Sequence, residues 1–211
     1  QIFVVPAEGG TARQLTYGYW NHSGISWNPD GSELYFTSYR REDWNRPENW
    51  GESEIYSVSV ASGGITQLTD RRGPDGNAVP SPDGERIAYI AGDDHDDTYR
   101  NSRIYLMDRD GSNSQLISDD YDRQSGGMVW ATDGSGLYFN VSRDGYRGLH
   151  FVSADGGVRQ LTAGQQVLSL SSFSDDGTAV GTIASAYEPG DLYRFDLAAP
   201  NTTTRLTQVN S

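Results

Sequence analysis

The sequence predicts an all-β protein made of β-propeller blades, because three markers recur in phase along its 211 residues. The first marker is the segment Gln-Leu-Thr, found at Gln14–Thr16, Gln67–Thr69 and Gln160–Thr162, with variants at Gln115–Ile117 and Arg205–Thr207. The leucines of these segments lie 53, 48, 45 and 45 residues apart, which is the length of one propeller blade. The other two markers are glycine turns that keep the same spacing.

Each repeat is predicted to contain four strands. An Asp-Gly turn joins the first strand to the second, at Asp30-Gly31, Asp83-Gly84, Asp133-Gly134 and Asp176-Gly177. A second glycine turn leads from the third strand into the Gln-Leu-Thr strand, at Gly63-Gly64, Asp110-Gly111 and Gly156-Gly157. Glycine supplies the positive φ angles that tight turns need. Each repeat is therefore a four-stranded antiparallel meander, and its two apolar faces require neighbouring repeats to pack against it.

The repeats divide the chain into about four and a half blades of one partial β-propeller domain. We predict a half blade at residues 1–16 and full blades at about 17–69, 70–118, 119–162 and 163–207. The opening residues match the third strand of a repeat, and nothing later in the chain completes that blade. We therefore expect the chain to be part of a larger propeller of seven or eight blades. Alone, it should either self-associate into a homo-oligomer through its incomplete ends or be stable only as a piece of a larger protein.

Composition and charge exclude several kinds of partner. The formal net charge is −13 and the arginines are scattered, so the chain should not bind nucleic acid. Cysteine is absent, which excludes disulfides and thiolate metal sites but leaves the redox compartment open. No apolar run approaches the roughly 20 residues that span a bilayer. We expect no membrane segment and a cytoplasmic location.

We predict no catalytic residues, no cofactor and no metal site in this chain. The Gly-x-Ser-x-Gly turn that presents a nucleophilic serine does not occur in the sequence. The three histidines are too dispersed for a catalytic triad, and no His-Glu-x-x-His pair is present for zinc. We expect His22 and His95 to be exposed in loops, and His150 to be a structural or surface residue within a strand.

Two connections between second and third strands, Tyr39–Ser53 and Gly92–Ser102, are longer than a turn requires. Tryptophan and arginine are frequent in binding surfaces, and arginine can hold a carboxylate through two hydrogen bonds. The candidate residues for contact with a substrate or with another domain are Arg40, Arg41, Trp44, Arg46, Trp50, Tyr99 and Arg100. The alternative is a structural role, in which Arg-carboxylate pairs hold the first loop and its tryptophans cover the edge of a blade.

The second long connection is also rich in aspartate, at Asp93, Asp94, Asp96 and Asp97. These carboxylates could bind calcium, but their spacing matches no standard calcium loop. A solvated acidic turn is the favoured interpretation. Capture of the free amino terminus of a peptide is a further alternative.

The repeat resembles those of three known groups: the periplasmic propeller of the Tol system, the tricorn protease, and the propellers of prolyl oligopeptidase-type enzymes. The resemblance rests on Trp27–Gly31, Leu34–Ser38, Glu54–Val58, Gly63-Gly64 and Gln67–Thr69. The C-terminal segment, with Pro189–Tyr193 and Arg205–Asn210, looks like the last blade of acylaminoacyl-peptidase and dipeptidyl-peptidase relatives. In those enzymes this motif precedes an α/β-hydrolase domain.

The resemblance implies that the chain is the non-catalytic propeller portion of a serine peptidase of the prolyl oligopeptidase family. Its implied role is to gate and select peptide substrates for an α/β-hydrolase domain of the same polypeptide. That domain, with the catalytic serine, aspartate and histidine, is not in this chain. One alternative is a non-enzymatic Tol-type propeller that binds protein. Another is a propeller lyase acting on acidic sugars, which a missing cluster of metal-binding histidines disfavours.

Overall fold

The computed structural model of the chain describes residues 1–40, 51–92, 101–118, 125–174 and 176–209. All regular elements in these ranges are β-strands, which we number β1 to β18 along the chain. Within the same ranges there is no helix long and apolar enough to cross a membrane. The strands are distributed over two compact units, Gln1–Leu116 and Ile117–Ser211.

Three antiparallel sheets make up the first unit. The opening sheet pairs β1 (Phe3–Val4) with β2 (Arg13–Gln14). The next sheet has the order β3 (His22–Trp27), β4 (Glu33–Ser38), β5 (Glu54–Ser59) and β6 (Ile65–Gln67). The third contains β7 (Asp75–Pro80), β8 (Arg86–Ala91), β9 (Arg103–Asp108) and β10 (Gln115–Leu116). Each strand pairs with its neighbour in sequence, so both four-stranded sheets are meanders.

Two further meanders make up the second unit. The first contains β11 (Ser125–Trp130), β12 (Gly136–Arg143), β13 (Tyr146–Ser153) and β14 (Val158–Gln160). The second contains β15 (Val167–Phe173), β16 (Thr178–Ala184), β17 (Asp191–Asp196) and β18 (Ala199–Arg205). A parallel pairing of Arg147 with Val167 connects them. The predicted all-β fold of four-stranded antiparallel blades is confirmed.

The threonine of the Gln-Leu-Thr marker fastens the start of the third strand in its own sheet. Its hydroxyl accepts a hydrogen bond from a backbone N–H of that strand, and the pairs are Thr16 with Ile2 (2.7 Å), Thr69 with Ile55 (2.9 Å), Thr162 with Leu149 (2.8 Å) and Thr207 with Leu192 (3.0 Å). We call this contact the threonine clamp. It satisfies a backbone donor at the point where the fourth strand leaves the ladder.

In the sheet β7 to β10 the marker is displaced by one residue. Leu116 pairs with Tyr105, so Leu116–Ser118 occupies the positions that Gln67–Thr69 occupies in the preceding sheet. The prediction that Gln115–Ile117 is the variant is therefore wrong by one residue. Burial is the physical reason, because Ser118 is 1% exposed while Gln115 faces solvent.

The Asp-Gly turns have the geometry that their sequence predicts. The glycines Gly31, Gly84, Gly134 and Gly177 have φ angles between 70° and 82°. The aspartate side chain before each of them accepts a hydrogen bond from the backbone N–H two residues later, as Asp30 does from Ser32 at 2.9 Å. The turns are therefore closed by contacts between residues of the turn itself.

The hydrophobic cores lie between sheets. In the first unit, Ile2 and Leu15 of the opening sheet pack on Leu34, Phe36 and Tyr56 of the next. The two four-stranded sheets of that unit share a second core, whose buried members are Tyr35, Ile55, Ala78, Ile87, Tyr89, Ala91 and Met107. In the second unit, Leu149 packs with Leu168, Ala179, Phe195 and Leu197. Face-to-face packing is how blades without an apolar interior of their own become stable.

Candidate interaction site

The two long connections leave the first unit at the end of its sheets opposite the Asp-Gly turns. The first lies between Ser38 of β4 and Glu54 of β5, and the second between Ala91 of β8 and Arg103 of β9. Among the predicted contact residues, Arg40 is described and lies two residues after the end of β4. The others lie outside the described residues, as do the aspartates and histidine of the second connection: Arg41, Trp44, Arg46, Trp50, Tyr99, Arg100, Asp93, Asp94, Asp96, Asp97 and His95.

A row of polar side chains crosses the first four-stranded sheet at this end. His22, Ser38 and Glu54 occupy paired positions on β3, β4 and β5. The Ser38 hydroxyl donates to the carbonyl oxygen of Asn21 at 2.9 Å and lies 3.0 Å from His22 Nδ1, so Nδ1 is the protonated nitrogen that donates to it. Glu54 accepts a hydrogen bond from the Thr69 hydroxyl at 2.6 Å.

This row contains a serine, a histidine and a carboxylate, but its geometry is structural and not catalytic. Ser38 is 1% exposed and its proton is engaged by Asn21, so the hydroxyl cannot reach or attack a substrate. The row instead holds the connection before β3 against the end of β4. It thereby fixes the backbone next to Arg40.

His22 begins β3 and is partly buried, so the prediction that it is exposed in a loop is wrong. Its ring lies edge-on to Phe36, with 4.7 Å between centroids. Burial lowers the pKa of His22 to about 4, and nearby positive charges, including Arg40, act in the same direction. The imidazole is therefore neutral at neutral pH.

The connection from β6 to β7 is fastened to the end of the first long connection. Gly73 N–H donates to the Glu52 carboxylate at 3.2 Å. Asp75 N–H donates to the Ser53 carbonyl at 2.7 Å, and the Ser53 hydroxyl donates to the Asp75 carbonyl at 3.0 Å. These bonds tie residues 52 and 53 to the first strand of the following sheet.

Arg71 and Asp75 form an ion pair near the described ends of both long connections. Arg71 Nε lies 3.3 Å from Asp75 Oδ1, and the guanidinium also donates to the carbonyl of Gly92 at 3.1 Å. The face of the Tyr105 ring lies 4.6 Å from the guanidinium carbon, a cation–π distance. Because Gly92 opens the second long connection, Arg71 links its first residue to the anchor of the other connection.

Asp75 is fully buried, and its second oxygen, Oδ2, accepts no hydrogen bond. Burial raises the pKa of Asp75 to about 6, an effect that Arg71 opposes and Glu52 reinforces. Glu52 and Glu54 are also almost completely buried. The base of the two connections therefore contains three carboxylates in a low-dielectric environment, where the charge of Asp75 depends on pH near neutrality.

Three exposed tyrosines lie at the same end of the first unit, Tyr17 and Tyr19 before β3 and Tyr39 beside Arg40. The contact of Ser38 with Asn21 keeps the connection before β3 close to the end of β4. Tyrosine and arginine are enriched in protein interfaces, since each combines a large contact area with hydrogen-bond donors. Arg40 and these tyrosines therefore provide a surface suited to binding a peptide or a protein.

Metal ligation finds no support in the described ranges of the chain. No group of three or more histidine, cysteine, aspartate or glutamate side chains there is arranged to hold a metal ion. His150 is buried within β13, where burial lowers its pKa. A neutral, buried histidine in mid-strand has a packing role.

The repeat and the sheet topology together match a known family. Residues 1–166 match the family described as TolB beta propeller domain (PD40). This chain belongs to that family. The resemblance of its repeats to the Tol-type propeller is thereby confirmed, and the matched range extends from the opening sheet through the meander that ends in β14.

Curated relatives of this TolB-type propeller include both a peptidase and a TolB protein. Dipeptidyl-peptidase 5 of Porphyromonas gingivalis is 28% identical over 182 residues, which are 82% of this chain and 26% of that protein. A TolB homolog of Chlorobium luteolum is 27% identical over 176 residues, or 82% of this chain and 36% of the relative. The chain spans less than half the length of either protein. Its propeller is therefore related to those of peptidases and of TolB.

Solved structures confirm the propeller fold of this TolB-type chain. The β-propeller domain of the trilobed protease from Pyrococcus furiosus superposes with a TM-score of 0.70 at 18% identity, covering 99% of this chain and 62% of that one. Oligogalacturonate lyase from Vibrio parahaemolyticus gives a TM-score of 0.74 at 17% identity, covering 98% and 59%. At such identities the similarity shows the fold alone.

Sequence reasoning missed the polar base of the long connections. Arg71 precedes β7 and Asp75 begins it. Neither residue belongs to one of the repeat markers. A signal was present for Glu54, because an acidic residue also begins the third strand of the last meander, at Asp191. Asp191 accepts a hydrogen bond from the clamp residue Thr207 at 2.6 Å, as Glu54 does from Thr69.

Proposed function

We propose that this chain is the non-catalytic propeller portion of a serine peptidase of acylaminoacyl- or dipeptidyl-peptidase type. Its role is to gate and select peptide substrates for an α/β-hydrolase domain of the same polypeptide. The observation that carries the proposal is the similarity to dipeptidyl-peptidase 5, which covers 82% of this chain but 26% of that relative. Such coverage is consistent with a propeller domain attached to a longer peptidase. In a gating role, the propeller would admit short or extended peptides and exclude folded proteins.

The surface around Arg40 supports the same role. Arg40 is partly buried, with its Nη1 enclosed, and the exposed tyrosines offer faces and hydroxyl groups to an extended chain. The sequence contains no nucleophile elbow. This chain would therefore contribute binding and selection, and the bond cleavage would belong to the hydrolase domain.

A second candidate function is protein binding without catalysis, as a Tol-type propeller. It is favoured by the family match over residues 1–166 and by the TolB homolog that is 27% identical. The same surface of arginine and tyrosine would then contact a protein partner and not a substrate.

The coding sequence downstream of Ser211 separates the two functions. A Gly-x-Ser-x-Gly motif followed by an aspartate and a histidine, together with turnover of acylaminoacyl or dipeptidyl substrates by the full-length protein, is the expected result for a peptidase. A full-length protein that lacks any hydrolase domain and hydrolyses none of these substrates would overturn the peptidase proposal in favour of the Tol-type function.

A further inference from the structure

A cavity of 150 Å³ lies in the second unit, at the end of the β11–β14 meander where a hairpin joins β12 to β13. Its lining includes Arg143 and Asp144 of that hairpin and Gly148 of β13. Gly148 directly precedes Leu149, whose backbone N–H donates to the Thr162 hydroxyl. The cavity therefore adjoins the threonine clamp of this sheet.

In two other sheets the clamp hydroxyl also has a carboxylate beside it. The carboxylate belongs to the residue just before the N–H that the clamp binds. Thr69 donates to Glu54 at 2.6 Å, and Thr207 donates to Asp191 at 2.6 Å. The hydroxyl in these sheets thus accepts one hydrogen bond from the backbone and donates another to a carboxylate.

In β13 this position is Gly148, so the sheet supplies no carboxylate of its own. A Cβ built on Gly148 would lie 3.1 Å from Thr162 Oγ1, so a side chain at this position would point to the clamp. Thr162 is 3% exposed, and within the described part of the chain its hydroxyl donates to no acceptor. A buried donor without an acceptor costs free energy. The sheet leaves such a donor where two other sheets provide a carboxylate.

We propose that this cavity binds a carboxylate group, from a small free acid or from the carboxyl terminus of a peptide. The Thr162 hydroxyl would donate to one carboxylate oxygen, as the equivalent threonines do in the two other sheets. Arg143 supplies the positive charge. Among the described residues its guanidinium bonds only to Asp144, through Nε at 3.2 Å, so its terminal nitrogens can donate to the second oxygen. The site contains none of the predicted contact residues and does not depend on the proposed peptidase role.

The test is a titration of the purified chain with sodium acetate, followed through the amide NMR signals of Gly148 and Leu149. The site variant is Gly148→Asp, which supplies an internal carboxylate, as Asp191 does in the last meander. The backbone of Gly148 lies outside the left-handed region, so aspartate is compatible with it. The matched control is Gly190→Asp, the same change at an exposed position where a Cβ would lie no closer than 3.7 Å to its neighbours.

We expect saturable acetate binding that Gly148→Asp weakens about tenfold or more, the loss of one charge-assisted hydrogen bond. Gly190→Asp should change the affinity less than twofold. Thr162→Val should weaken binding to the same degree as Gly148→Asp, whereas Thr162→Ser, which keeps the hydroxyl, should bind like the wild type. Circular dichroism verifies that each variant folds.

Two further titrants identify the source of the carboxylate. A Gly-Ala-Gly-Ala peptide with a free carboxyl terminus should shift the same signals if the site accepts peptide ends, and its amidated form should not. A response to acetate without a response to either peptide would assign the site to small free acids. The absence of saturable acetate binding, an equal affinity for the uncharged acetamide, or an unchanged affinity in Gly148→Asp would each overturn the proposal.

Discussion

The substitution Asp75→Asn should remove a pH dependence of stability that the wild-type chain shows between about pH 4 and pH 6. Asp75 is fully buried, and burial raises its pKa from 3.8 to about 6. Within this pH window the folded chain keeps the proton that the unfolded chain has released. The free energy of unfolding must therefore fall as the pH rises through the window.

The size of the effect follows from the difference between the two pKa values. At 1.36 kcal/mol per pKa unit, raising the pKa from 3.8 to about 6 corresponds to at most about 3 kcal/mol. His22 acts in the opposite direction, because its pKa is lowered to about 4 and the folded chain then binds fewer protons than the unfolded chain. The total pH profile therefore combines opposing slopes, and only a comparison with the variant isolates Asp75.

Urea unfolding followed by circular dichroism, from pH 4.5 to pH 7.5, measures that comparison. Over this pH range the stability of the wild type minus that of Asp75→Asn should decrease by up to about 2 kcal/mol, at 1.36 kcal/mol per pH unit between pH 4.5 and the pKa of about 6, and level off above pH 7. Asp155→Asn, at an exposed position, is the control and should leave the wild-type profile unchanged. A difference curve that is flat across the window, or that rises with pH, would refute the assignment of a raised pKa to Asp75.

Three other predictions follow from the clamp and the interaction site. Thr69→Val removes two buried hydrogen bonds, to Ile55 N–H and to Glu54, and should cost about 2 kcal/mol in urea unfolding, whereas the exposed Thr66→Val should cost little. The purified chain should hydrolyse neither acylaminoacyl nor dipeptidyl chromogenic substrates, because it has no nucleophile elbow; turnover that a serine-directed fluorophosphonate abolishes would contradict this. In the full-length protein, Arg40→Ala, Arg41→Ala or Trp44→Ala should impair peptide turnover while changing stability by less than about 1 kcal/mol, and unchanged kinetics on peptides of several lengths would leave only a structural role.

The fold was predictable because its determinants are local and repeated. An Asp-Gly turn closes through its own aspartate side chain and the positive φ of glycine, so a short stretch of sequence contains all the necessary information. The threonine clamp is likewise contained within a single sheet. The one-residue error at Gln115–Ile117 arose because this variant lacks threonine, and only strand register reveals that Ser118 takes its place.

Features that depend on contacts between sheets were not predictable. Strands β3, β7 and β11 contain register shifts, with positive φ at Gly24, Asn77 and Gly127. In the sequence, the sign of each shift is a glycine or asparagine three residues before the end of the strand. The ion pair of Arg71 with Asp75 and the complete burial of Tyr35 depend on how one sheet packs on the next. The lengths of the two connections predict a candidate contact surface at the end of the sheets opposite the Asp-Gly turns, and that assignment stays a prediction.

Each threonine clamp lies within one sheet, whereas the hydrophobic cores lie between sheets. This difference affects how such a gene could gain or lose blades. A duplication that copied one complete meander would bring along its turns and its clamp intact, since both are closed by residues within it. The apolar faces of the copied sheet would pack on sheets that they had not contacted before. Selection would therefore act first on core residues between sheets, such as Tyr35 and Ile87. Duplication of a whole blade therefore preserves the hydrogen bonds within the sheet, while the core packing between blades has to evolve again.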